Sequence, residues 1–165
     1  MPHRLIFESF RRNAQANANL LRLLTMEDLA LPVHGGAQIW KILAHMHYAR
    51  PGWLAQIAPG SEQPIPPVAE GGWTPARLTA TSIAGIDEAF RLADQAAANA
   101  VRQAINENRN FVGHFQSHPA HFLQLMIVHD GNHRGQIMPA LRLAGARSPE
   151  QWQELQDAVW DPWFA

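Results

Sequence analysis

The chain has 165 residues, with 13 basic and 14 acidic side chains, a net charge of −1 and no cysteine. That length suits one hydrophobic core, and the balanced charge argues against a nucleic-acid or anionic-membrane surface. The missing thiols exclude disulfides, thiolate ligands and a protein sulfur nucleophile, so any metal must be held by nitrogen or oxygen.

The opening MPHRLIFESFRRN lacks the apolar run of a signal peptide, and no stretch reaches the length of a membrane span, so a cytoplasmic location is expected. A first helix is predicted from about Leu5 to Leu24, with Phe7, Phe10, Ala14, Asn17, Leu21 and Leu24 on its inward face. Pro32 and the pair Gly35 and Gly36 break the pattern. A second helix is predicted over Gln38–Ile57, carrying Ile39, Ile42, Leu43, Met46, Ala49, Trp53, Leu54 and Ile57, with a kink expected at Pro51. The Pro- and Gly-rich run that follows, Pro59 to Gly72, reads as a long functional loop.

Thr74 and Pro75 have the form of a helix start, a capping hydroxyl and a proline at the first helical position. From there Leu78, Ser82, Gly85 or Ile86, Phe90, Ala93, Ala97, Ala100 and Ala104 hold an inward stripe, whose alanines predict a close helix neighbour. Ser117, His118 and Pro119 open the last long helix, which reaches about Ala144 before Gly145 stops it and is expected to bend at Pro139. The tail holds three of the six tryptophans and is expected to cover an apolar end or to make a dimer contact. These elements predict a single all-α domain over residues 1–165, a four-helix bundle with its long connection between helices 2 and 3.

Within the last helix, Phe122, Met126, His129, His133, Gln136, Ala140 and Leu143 are spaced 4, 3, 4, 3, 4 and 3, the seam of a bundle helix. Two imidazoles one turn apart on such a seam need partners, and a metal ion is the partner that serves both. A third ligand must come from a facing helix. His45 and His47 lie two apart and cannot share a face, and periodicity does not choose between them. Asp130 and Asn132 flank the pair off its seam and read as solvent-exposed, whereas Gln136 lies on the ligand face. His3, His34, His114, His118 and His121 read as surface or cap residues, and the tryptophans as core and interface filler. HDGNH also reads as a variant of the HExxH peptidase helix. Asp130 is a methylene shorter than the general-base glutamate, Gly131 weakens the helix, and no downstream glutamate ligand is visible, which disfavours that reading.

The segments ILAHMHYARPGWL at 42–54, VHDGNHRGQIMPALRLAG at 128–145 and NAQANANLLRLL at 13–24 resemble the DinB/YfiT superfamily across nearly the whole chain. The resemblance implies a three-histidine metal site of His45, His129 and His133, with His45 preferred over His47 because Leu43 and Ala44 precede it and Trp53 follows eight residues later. Three neutral imidazoles suit Zn²⁺ or Ni²⁺ over Mg²⁺ or Ca²⁺. Relatives of this kind imply a small-molecule substrate, a low-molecular-weight thiol such as mycothiol, bacillithiol or glutathione, a transferase activity and a homodimer. A small-substrate hydrolase and a non-catalytic, metal-stabilised stress-response protein are the competing expectations. Arg50 stands where the family often has an acidic residue.

Overall fold

The computed structural model describes residues 3–60 and 64–164, so the middle of the expected 59–72 loop, residues 61–63, lies outside the described residues. The architecture is mostly helical. It consists of α1 (Arg4–Arg22), α2 (Ile39–Ile57), α3 (Ile83–Asn106), α4 (Ala120–Leu143) and α5 (Pro149–Phe164), with two short strands, β1 (Ala69–Glu70) and β2 (Arg77–Leu78). In the bundle α1 packs on α3 and α4, and α2 packs on the same two helices, so the α2/α4 groove and the α1/α3 groove face opposite ways. Helices α2 and α4 continue through Pro51 and Pro139.

Two expectations are corrected, the start of the third helix and the place of Leu143. The third helix begins at Ile83, not at Thr74: Ser82 is its N-cap, and its hydroxyl accepts from the Gly85 amide at 3.1 Å. Residues 69–78 instead fold back as an antiparallel hairpin, with Ala69 opposite Leu78 and Glu70 opposite Arg77. The turn places Gly71 at φ +105° and Gly72 at φ +59°, backbone that glycine adopts at low cost. The tail forms a fifth helix, which lies along α1 and buries Leu155 and Val159 while leaving Trp160 and Phe164 exposed. Leu143, expected on the α4 seam, is 88% exposed. A heptad pattern drifts by about 20° per repeat around a straight helix, and three repeats separate Phe122 from Leu143.

The apolar interior has two parts. One gathers Leu20, Leu43, Met46, Ile86, Phe90 and Ile137, and the other Phe10, Ala49, Leu54, Ala97, Phe122 and Met126. Between them on each of α1 to α4 comes a buried polar residue: Asn13 and Asn17 on α1, Arg50 on α2, Asp94 on α3, and Asp130 and Arg134 on α4. The bundle is thus two hydrophobic blocks separated by a polar layer.

The hairpin is seated against α2 through Gly52. A Cβ there would lie 2.7 Å from Tyr48 Cε1 and 2.8 Å from Trp73 Cζ2. Gly52→Ala is therefore expected to push Trp73 and the hairpin off α2, costing about 1–3 kcal/mol in thermal denaturation. An unchanged melting temperature would show that the hairpin adjusts freely.

Candidate metal centre

His45 of α2 and His129 and His133 of α4 meet in the groove between those helices. Their Nε2 atoms converge: His129 Nε2 lies 3.2 Å from His45 Nε2 and 3.2 Å from His133 Nε2. One ring nitrogen from each of the three falls within 4.8 Å of the others, and no other group of three or more candidate ligands forms among the described residues. All three side chains are half-buried, so they border the core and remain reachable from solvent.

The other ring nitrogens decide what the Nε2 atoms can do. His45 Nδ1 is 3.4 Å from the Trp73 carbonyl oxygen, and His133 Nδ1 is 3.0 Å from Gln136 Oε1. His129 Nδ1 faces Asp130 Oδ1 at 3.5 Å, too far for a regular hydrogen bond, and is otherwise a buried nitrogen without a partner. For His45 and His133 the facing acceptors place the proton on Nδ1 and the lone pair on Nε2. His45 Nε2 and His133 Nε2 each lie 3.2 Å from His129 Nε2, and a cation among the three would draw their lone pairs together. Bonds of about 2.0–2.1 Å to a tetrahedral zinc would set nitrogen pairs about 3.3 Å apart, so the donor set fits a divalent ion. Burial holds His45 and His133 below the ordinary histidine range, and the neighbouring His129 acts in the same direction. Both are then neutral ligands at neutral pH.

His47 takes no part. It is 3% exposed, its ring is 5.7 Å from that of Phe90 on α3, and burial followed by the charge of Arg50 pushes its pKa down to about 4. His114, His118 and His121 also stay outside the triad, and His3 stacks on His118 with ring centroids 4.8 Å apart.

Asp130 was expected in solvent and is instead fully buried. Its Oδ1 accepts from Arg50 Nη1 at 2.8 Å, and its Oδ2 from Arg50 Nη2 at 2.5 Å, Asn13 Nδ2 at 2.6 Å and Asn17 Nδ2 at 2.7 Å. Burial alone would raise its pKa, but Arg50 and the other donors hold it well below the usual carboxylate range. Arg50 also donates from Nε to Asp94 at 2.8 Å and from Nη1 to the Met46 carbonyl at 2.8 Å. Arg134 Nη1 reaches Asn13 Oδ1 at 2.9 Å and Asn17 Oδ1. Asn132 is exposed, as expected.

A family model, that of the DinB family, matches residues 1–160. The chain belongs to the DinB family. No curated protein and no solved structure matches it in the other two comparisons. In this DinB-family chain the gathered ligand candidates are the three that the HxxxHRGQ resemblance implies. The sequence reading missed the polar layer beneath them, although Asn13 with Asn17 and Asp130 with Arg134 repeat at one-turn spacing. It also treated the tryptophans as filler. Trp73 is exposed, with its ring 6.0 Å from His45, and packs against Tyr48 at 5.2 Å and Trp53 at 5.7 Å, which gives the site an aromatic flank. A groove of about 610 Å³ lies elsewhere, between α1 and α3, lined by Arg4, Phe7, Phe10 and Arg102 among others. The triad, not that groove, gathers the ligand chemistry.

Proposed function

We propose that this chain is a metal-dependent transferase that uses a low-molecular-weight thiol, with Zn²⁺ or Ni²⁺ held by His45, His129 and His133. The observation that carries the reading is the convergence of three Nε2 atoms whose Nδ1 partners each face an acceptor. A divalent ion with three nitrogen ligands would supply Lewis acidity at an open position, able to activate a thiol or a water. The chain has no cysteine, so a reacting sulfur would arrive on the cosubstrate. The Trp73 carbonyl and Gln136 orient two of the rings, and Trp73, Tyr48 and Trp53 offer an apolar surface to the body of a bound molecule. Arg50 is fully buried and its donors are used internally, so recognition of substrate falls to other residues.

The test is cobalt substitution of the untagged protein, followed by addition of glutathione, bacillithiol or mycothiol. A thiolate charge-transfer band supports the transferase. A spectrum that answers to pH but to no thiol favours hydrolysis of a small substrate, and a spectrum that answers to neither favours a purely structural ion. The homodimer implied by family resemblance belongs to the same proposal, and a monomer in sedimentation equilibrium would remove it.

A further inference from the structure

We infer that Asp130 is the positioning residue of the metal centre, holding His129 with its proton on Nδ1 and its Nε2 turned toward the ion. The inference rests on the metal-centre reading above and adds to it a device built from the polar layer.

Of the three triad rings, His129 alone has a buried Nδ1 with no regular hydrogen bond, and the one acceptor facing it is Asp130 Oδ1 at 3.5 Å. The pair stands just beyond the usual hydrogen-bond distance of about 2.9 Å. The carboxylate cannot swing to meet the ring. Arg50 grips both of its oxygens, Asn13 and Asn17 grip Oδ2, and so two neighbouring helices fix its position. The amides are fixed in turn, since their own oxygens accept from Arg134. Two arginines and two aspartates make the layer electrically balanced, so a carboxylate can be kept charged beside the site at no net charge. The other two rings face neutral carbonyl oxygens, from Trp73 and Gln136. A charged acceptor makes an imidazole a stronger donor than a neutral one does, which singles out His129 as the strongest of the three ligands.

Asp94 provides the control. It grips Arg50 from α3 and is equally part of the layer, but it bonds to Arg50 and not to a triad ring. The experiment has two measurements on the full chain: ring ¹⁵N NMR of metal-free wild type, and zinc titration calorimetry of wild type, Asp130→Asn and Asp94→Asn. Expected are a His129 protonated on Nδ1, zinc binding about 10- to 100-fold weaker in Asp130→Asn, and zinc binding close to wild type in Asp94→Asn. A His129 protonated on Nε2 in wild type would overturn the inference, and this readout stands even if Asp130→Asn fails to fold. Equal zinc affinity in Asp130→Asn and wild type would overturn it too, as would equal weakening in both variants, which would mean general loosening. Those results leave the metal centre standing, whereas a wild type that takes up neither zinc nor nickel removes the centre and the positioning role together.

Discussion

Arg50→Ala is expected to remove about 3–5 kcal/mol of folding stability, because it strands Asp130 and Asp94 as unpaired carboxylates inside the bundle. Arg50 has no exposed surface, and among the described residues it is the one cation that contacts both aspartates. Against a typical total of about 5–15 kcal/mol, the loss would be large. Arg50→Lys is expected to fall between wild type and alanine, since a single ammonium cannot serve Asp94, both oxygens of Asp130 and the Met46 carbonyl at once. The exposed pairs Arg91–Glu88 and Arg77–Glu70 give the contrast. Breaking either should change stability little, because water already solvates their partners. Urea denaturation measures all four, and an Arg50→Ala loss below that of the exposed pairs would mean that the polar layer is solvated or rearranges.

The long helices were legible because their inward residues repeat at helical spacing over many turns, as Ile39, Leu43, Met46 and Leu54 do on α2. The start of α3 was not. Thr74 and Pro75 carry the chemistry of a helix cap, yet the Gly71–Gly72 turn and the pairing of β1 with β2 use those residues first. A local cap signal decides a helix start only when no tertiary pairing competes for the same backbone. Helix α5 was hidden by composition. Its Trp152, Leu155 and Val159 have helical spacing, but two of its sixteen residues are fully buried and the stripe is thin.

The site was legible in part for the same reason. HxxxH at one-turn spacing puts two rings on one face whatever the fold around them. His45 and His47 could not be told apart by pattern, because α2 packs against both α3 and α4. One face of α2 sends His47 to Phe90, and another sends His45 to His129. Asp130 was misread because a residue beside the seam of a surface helix usually meets water, whereas α4 also touches α1 and α3. The warning was present in the sequence: Arg50 comes one turn after Met46 and one turn before Leu54, so a charge on that apolar stripe needs a counterion.

His45→Ala should abolish tight zinc binding while His47→Ala leaves it near wild type, since only His45 brings a ring nitrogen into the triad. Loss of one of three ligands leaves two donors on one helix, fewer than the three protein ligands of an open catalytic zinc site. The thermal shift on adding metal gives a second reading. An ion that binds only the folded chain stabilises it by about 2.7 kcal/mol at a hundredfold excess over Kd, so wild type and His47→Ala should gain stability with zinc and His45→Ala should not. The pH dependence has a definite sign. Protons compete with the metal for imidazole nitrogen, and burial depresses the proton affinity of His45 and His133. Zinc binding should therefore persist into acid below the ordinary histidine range of about 6.5 before it fails. If affinity were already lost on descending through that range, or if His47→Ala rather than His45→Ala lost the metal, the ligand assignment would be wrong.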